Sequence, residues 1–418
     1  MELKLNKLQL LYQLIKRLLQ KPILKQRIMT RLIFKLLVIL SLNFLVLNIT
    51  SAQSSTRKVL FPFSLQADPM ERLLLVNFEK DPDSVYIGFE PQVFDDEING
   101  KGHLVIGWRR DKKIDVYHES SLNLDTSKFS IAGAGLNKII SVKMEKAFYE
   151  ITGNGVQANY KFRDVLGRDI DIVINEESAK KREPFGLLAP MGDAATNPKA
   201  LPLIFLHDFY FVRKAHTKIL ISIDNKIHKP DILPIRIDGQ KMTFVRYSPE
   251  PLIATLNRQH YGTLEYLEPS VGEVKYEKGD CLYELVWNEN NVLIKSVSLR
   301  NKIHTLKIDF DPAFPCINSM PLNSRQTGGF IISGHKSIGT VSGEFSVCRD
   351  NETVKVYFVP SDGWKPNASK LSTKFLFRVA KVFKKWPTTY LWDAELKLNG
   401  DNLWHMNSRW TRTGKIIN

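Results

Sequence analysis

The chain has 418 residues and carries 59 Lys+Arg against 44 Asp+Glu, a formal charge of +15. Nine of those cations and a single Glu lie in residues 1–52, so more than half of the excess sits at one end and the remainder is mildly basic. Overall charge therefore gives no ground for a nucleic-acid surface, while 43 % hydrophobic and 10 % aromatic residues suffice for two ordinary cores or one long one.

Taken in order, the first informative stretch is Met29–Ala52, MTRLIFKLLVILSLNFLVLNITSA. Arg31 and Lys35 precede Leu36–Leu47, an uncharged apolar run. Its length fits a signal-peptide core of ~7–15 residues and falls short of a membrane span of ~20. Thr50, Ser51 and Ala52 predict cleavage before Gln53. The competing reading is an uncleaved anchor, the one membrane contact the sequence suggests. With no Cys near that point, a lipoprotein anchor is excluded chemically. Met1–Ile28 is basic and Leu-rich, with Leu8, Leu11, Ile15, Leu18 and Leu19 near helical spacing. It is either a surface-seeking helix or a stretch upstream of a true start at Met29.

After Gln53 the dominant period is two. In Arg168–Asn175, Ile170, Ile172 and Ile174 share a face while Asp169 and Asp171 point away. Leu306, Ile308 and Phe310 share a face, as do Trp392, Ala394, Leu396 and Leu398. Helical spacing cannot produce these splits. Asn154-Gly155, Asp238-Gly239 and Asn399-Gly400 lie between such runs and suit type I′ hairpins. Lys278–Asp280 and Asn288–Asn291 read as further tips, and Gly167 turns one strand into the next. A short helix is expected to start at Arg72 after Asp68-Pro69-Met70-Glu71, and Lys374–Lys385 mixes both periods. Two proline- and glycine-rich stretches, Glu177–Pro202 and Asp309–Gly329, read as long irregular crossings or lids. The pattern predicts an all-β fold: an antiparallel, hairpin-rich sandwich or lipocalin-like barrel behind an N-terminal signal segment. Two β domains are expected, 53–268 and 269–418, with the boundary near Leu267–Gly272. Cys281, Cys316 and Cys348 form no CxxC pattern and allow either one disulfide with a free thiol or three reduced thiols.

The strand Leu203–Arg213, LIFLHDFYFVR, is apolar on both faces, as a central strand or a lined barrel wall would be. His207 and Asp208 interrupt it. Neighbouring strand residues point to opposite faces, so a regular strand keeps the two apart, each enclosed and in need of a polar partner or a ligand. Together with Tyr210 they are the leading ligand-binding candidates. Trp108 with Tyr117 and His118 can shape a binding mouth at strand ends, and His335, among Gly328, Gly329 and Gly334, can let a ligand approach the backbone. Asp164, Asp169 and Asp171 read as a solvated charged face beside Arg163 and Arg168, and Asp95–Gly100 as a polar turn.

Nucleophile-elbow, zincin, phosphate-loop and dinucleotide motifs are missing. The nine histidines are scattered with no pair at metal-ligand spacing, so no metal or cofactor is expected, and whether the chain is an enzyme and which residues would be catalytic stay open. The layout, many hairpins around a hydrophobic central strand in an exported chain, is similar to tandem lipocalin-like proteins, although no diagnostic motif aligns. The expected function is binding of an apolar or amphipathic small molecule or lipid in a β-lined cavity. The alternative is a polysaccharide hydrolase or lyase with paired carboxylates and Trp364, Trp386 and Trp410 as exposed sugar platforms. The first expectation is testable directly: N-terminal sequencing of protein from its host should read from Gln53, and a sequence starting upstream of Arg31 contradicts cleavage.

Overall fold

The computed structural model describes Gln9, Leu10, Tyr12 and Gln13, all helical, and Thr56–Thr413 without 69, 130, 132–133, 178–182, 190–196, 290, 302–303, 381–382, 384 and 402. The apolar run Met29–Ala52, the cleavage point and most of Met1–Ile28 lie outside those residues. Met1–Thr56 and Arg57–Asn418 group as separate units, and the architecture below is that of the second.

Strands make up 63 % of the structure and helices 6 %, so the fold is all-β. The alternating runs account for it. Ile170, Ile172 and Ile174 are buried on one face of Asp169–Glu176, while Asp169 and Asp171 remain partly exposed. A five-stranded antiparallel sheet built on that strand packs against an eleven-stranded sheet. Tyr149, Tyr160, Phe162 and the three isoleucines from the first meet Leu74, Val76, Phe89, Tyr117 and Val245 from the second. This is a sandwich whose interior is rich in tyrosine.

A ten-stranded antiparallel sheet follows. From Lys275–Lys278 to Trp404–Arg412 its strands pair with their chain neighbours, and His260–Thr263 adds the far edge. The 59–65 segment feeds rings onto it. Phe63 lies 5.0 Å from Phe314, 5.2 Å from Phe358 and 5.1 Å from Trp392, ring centre to ring centre. Those three rings come from His304–Phe314, Thr353–Lys365 and Tyr390–Leu398. One side chain can reach three strands because the sheet curls around it. The same cluster continues without a break into Leu203, Phe205, Leu252 and Leu256 of the eleven-stranded sheet, and the Trp410 indole donates to the Leu256 and Asn257 carbonyls. Trp364, Trp386 and Trp410, surface platforms in the polysaccharide alternative, are all buried.

Several local expectations change for tertiary reasons. No helix starts at Arg72: Arg72–Asn77 is a strand on Gln240–Ser248, and Leu65–Asp68 lies in the same register on Leu252–Leu256. A long ladder partner outweighs a weak local start signal. The ambiguous run Lys374–Lys385 overlaps a helix, Leu371–Val379. Within Glu177–Pro202 the chain forms a short strand, Phe185–Ala189, and Asp309–Gly329 is strand at both ends. Pro312 fits because the pairing jumps from Asp309↔Ser296 to Phe314↔Ile294, a bulge in which its missing N–H leaves no ladder bond open. Asp238-Gly239 is the expected turn, with φ of 51° and 73°. The 152–155 hairpin instead closes through Gly153-Asn154, one residue early, because Thr152 pairs with Gly155. Asn399-Gly400 opens a longer loop closed by Leu398↔Trp404. All three cysteines are free thiols.

Phe63 is buried at 6 % exposure among rings from several strands. Phe63→Ala should therefore cost about 3–5 kcal/mol, read as a lower denaturant midpoint at unchanged slope. A midpoint like the parent's would show that the ring does not hold the curled sheet.

Candidate functional site

The strand Leu201–Arg213 is flanked on both sides, and both ladders let go at the same place. On one side, Phe205 pairs with Leu252 and Tyr210 with Tyr247, which sets Ser248–Pro251 across from Leu206–Phe209. Pro249 and Pro251 have no N–H to donate, so pairing lapses and Glu250 stands opposite His207. On the other side, Phe185 pairs with Phe209 and Leu187 with Leu206, leaving Gly186 alone to face both His207 and Asp208. Two residues against one is a β-bulge, which re-aims side chains. His207 Nδ1 and Asp208 Oδ1 consequently come within 3.8 Å of each other. The separation expected from a regular strand is corrected by that bulge.

The ten-stranded sheet supplies the rest. His304 opens the strand His304–Phe314, and its ring centre is 4.3 Å from that of His207. His335, in the loop after Ser324–Ser333, has its ring centre 5.4 Å from His207. The loop can come this close because residue 186 is glycine: a Cβ there would overlap the Ser337 carbonyl. His335 Nδ1 lies 2.7 Å from the Ser337 hydroxyl and 3.3 Å from the Ser337 backbone nitrogen, which ties the ring back to its own loop.

The electrostatics are those of a half-desolvated cluster. Burial pushes the Asp208 carboxyl up to about 6, and the charge of Glu250 pushes the same way, against a 2.8 Å hydrogen bond donated by the Ser248 hydroxyl. Burial holds the His207 and His304 imidazoles below their ordinary value, and a neighbouring imidazole adds to the effect for each. Both rings are then neutral near pH 7, with lone pairs available. Nε2 of His304 is buried without a hydrogen-bond partner and stands 3.8 Å from Glu250 Oε2. One donor atom each from His207, Glu250 and His304 lies within 4.8 Å of the others, so this trio could hold a cation. Glu250 and His335 are exposed while His207, Asp208 and His304 are half-buried, so the cluster is reachable from solvent.

The fold brings His207, Asp208 and His335 together and sends the other sequence candidates elsewhere. Tyr210 stacks on Tyr247 at 5.1 Å, toward the tyrosine-rich sandwich interior. Tyr117 is fully buried and hydrogen-bonded to the Tyr86 hydroxyl. His118 bonds the Glu119 carbonyl through Nδ1 at 2.8 Å, and the Trp108 indole donates to Glu90 at 2.9 Å. Asp164 is buried and clamped by Arg168, which also reaches Asp83. Glu250 and His304 escaped the sequence reading. The only trace of Glu250 is an acid set between two prolines.

No family model, curated protein or solved structure matches this chain.

Glu90 provides a pH test separate from the cluster. Its carboxyl is pushed up to about 7 by burial, against hydrogen bonds from Gln92 and Trp108. The folded protein then holds a proton that the unfolded chain releases above its ordinary value of 4.5. Stability should fall as pH rises from there to about 7, with a slope of up to ~1.4 kcal/mol per pH unit. Glu90→Gln should flatten this component, measured by urea unfolding of parent and variant across the window. Parallel profiles would contradict it.

Proposed function

We propose that this is an exported binding protein that holds an amphipathic small molecule or lipid at the seam between its eleven- and ten-stranded sheets. In this reading the polar end of the ligand meets His207, Asp208 and His335. The observation that carries the proposal is the convergence of three imidazoles and two carboxylates, half-buried yet reachable, on a strand otherwise apolar on both faces. Convergent polar groups on an apolar wall are what ligand sites have in common. The curled sheet is the lipocalin-like part of the reading. The ligand is assigned to the seam and not to the concave face because Phe61 and Phe63 pack there against Phe310 and Phe314. Export through the segment ending at Ala52, and two β domains divided near residue 268, belong to the same proposal.

The polysaccharide hydrolase or lyase alternative keeps an acid pair here, since the charge of Glu250 acts on Asp208. It loses Trp364, Trp386 and Trp410 as platforms, because all are buried.

Native mass spectrometry of protein purified from its host should show a retained small molecule. His207→Ala should release it with little change in melting. Asp208→Ala leaves the Ser248 hydroxyl without its acceptor and should cost about 1–3 kcal/mol. If both variants retain ligand and melt like the parent, the seam is not the binding site.

A further inference from the structure

We propose that His207, Glu250 and His304 form a binding site for a divalent transition-metal ion of the zinc class. This goes beyond the small-molecule reading, shares its location and does not depend on it.

The argument begins with the donors. Two imidazole nitrogens and a carboxylate oxygen are the set that borderline ions such as Zn²⁺ favour, and three protein ligands leave a further position for water or a bound molecule. The three donor atoms lie within 4.8 Å of one another. A tetrahedral ion ~2.0–2.1 Å from each needs donors ~3.4 Å apart, so the set closes by roughly 1 Å. Glu250 can supply its share of that movement. Its side chain is 51 % exposed, and it stands in a turn where neither neighbouring proline carries a ladder bond.

The second observation is His304. Its Nε2 is buried, has no hydrogen-bond partner and stands 3.8 Å from the carboxylate oxygen of Glu250. Other buried atoms also go without a partner, His228 Nε2 and His260 Nε2 among them, but His304 Nε2 stands beside a carboxylate and a second imidazole. A metal between these two groups would satisfy both. The third observation is the surroundings. Asp208 Oδ1 stands 3.8 Å from His207 Nδ1 and is itself fixed by Ser248. A carboxylate beside a ligating imidazole, itself held by a hydrogen bond, is the usual outer-shell arrangement of metal-bound histidine. His335, tied back to Ser337, borders the open side.

The donors also come from distant points of the chain. His207 is on a bulged strand, Glu250 on the proline-flanked turn across from it, and His304 at the start of a strand in the other large sheet. An ion here would cross-link the two sheets, so its binding should be visible in the melting temperature as well as in direct titration.

The test uses the full chain purified in mild detergent, stripped with chelator and titrated with Zn²⁺ and, separately, with Co²⁺. The expected result is about one ion per chain, a raised melting temperature with Zn²⁺, and visible Co²⁺ absorption bands of a four- or five-coordinate site. Glu250→Gln, at an exposed position, should melt like the metal-free parent and lose the bands, the stoichiometric ion and the thermal shift. His304→Ala should lose them too. Asp208→Asn should weaken binding ~10–100-fold. His405→Ala, an exposed histidine on another strand, should bind like the parent. The proposal is overturned if the parent takes up no stoichiometric ion, or if Glu250→Gln and His304→Ala bind as the parent does. It is equally overturned if His405→Ala is as impaired as they are. Ligand retention is read on the same samples, so a protein that keeps its small molecule but binds no metal overturns this proposal alone.

Discussion

The interruption of hydrogen bonding around Leu206–Asp208 is the constraint from which the arrangement of the site follows. A strand flanked on both sides normally commits every N–H and C=O to its neighbours and alternates its side chains rigidly. Here Pro249 and Pro251 remove donors on one side, and a two-against-one bulge at Gly186 breaks the register on the other. The ladders on either side stay in register, Phe205 with Leu252 and Tyr210 with Tyr247, so the lapse is local and held from both ends. Two polar side chains can then turn toward each other within a strand whose remaining residues are apolar on both faces.

That lapse would matter little without a second surface to meet it. The ten-stranded sheet presents a strand start at His304 and a loop at Gly334–Gly339 against the same strand. Glycine at 186 permits the close approach of the loop carbonyl, and Gly334 sits against the Phe205 ring, where a Cβ would lie 3.2 Å from a ring carbon. Aromatic packing supplies the adhesion. Phe61 and Phe63 fill the concave face of the curled sheet, and the same buried cluster runs on into Leu203, Phe205 and Leu256. The seam is a continuous apolar contact with one polar window in it, and at that window desolvation raises the carboxyl of Asp208 while it depresses the imidazoles of His207 and His304.

The sandwich half holds a connected network of buried polar groups. Tyr86 and Tyr117 pair through their hydroxyls, Asp115 accepts from Tyr86, Arg109 and Asn137, and Arg168 bridges Asp83 and Asp164. These groups are satisfied by one another, as interior polar networks must be to be tolerated. At the seam, His304 Nε2 is buried without a hydrogen-bond partner and stands 3.8 Å from Glu250 Oε2.

What the sequence determined by itself was the class of fold and the strand that carries the site. Period-two alternation is a local property, so Ile170, Ile172 and Ile174, or Trp392, Ala394 and Leu396, could be assigned to buried faces without knowing what they pack against. The doubly apolar run at Leu203–Arg213 marked a central strand, and His207 and Asp208 stood out within it for the same reason. The tertiary structure decided everything that depends on register. Whether adjacent residues point apart or together is set by a bulge opposite Gly186, and a bulge is a property of two strands and not of one. His304 and Glu250 join His207 across 97 and 43 residues of chain through pairings that no spacing rule encodes. The tryptophans that the polysaccharide alternative placed on the surface went inside, Trp364 against Phe377 and Phe383, Trp386 against Tyr390 and Trp410 onto the Leu256 and Asn257 carbonyls, through contacts between segments distant in the chain or set by the fold.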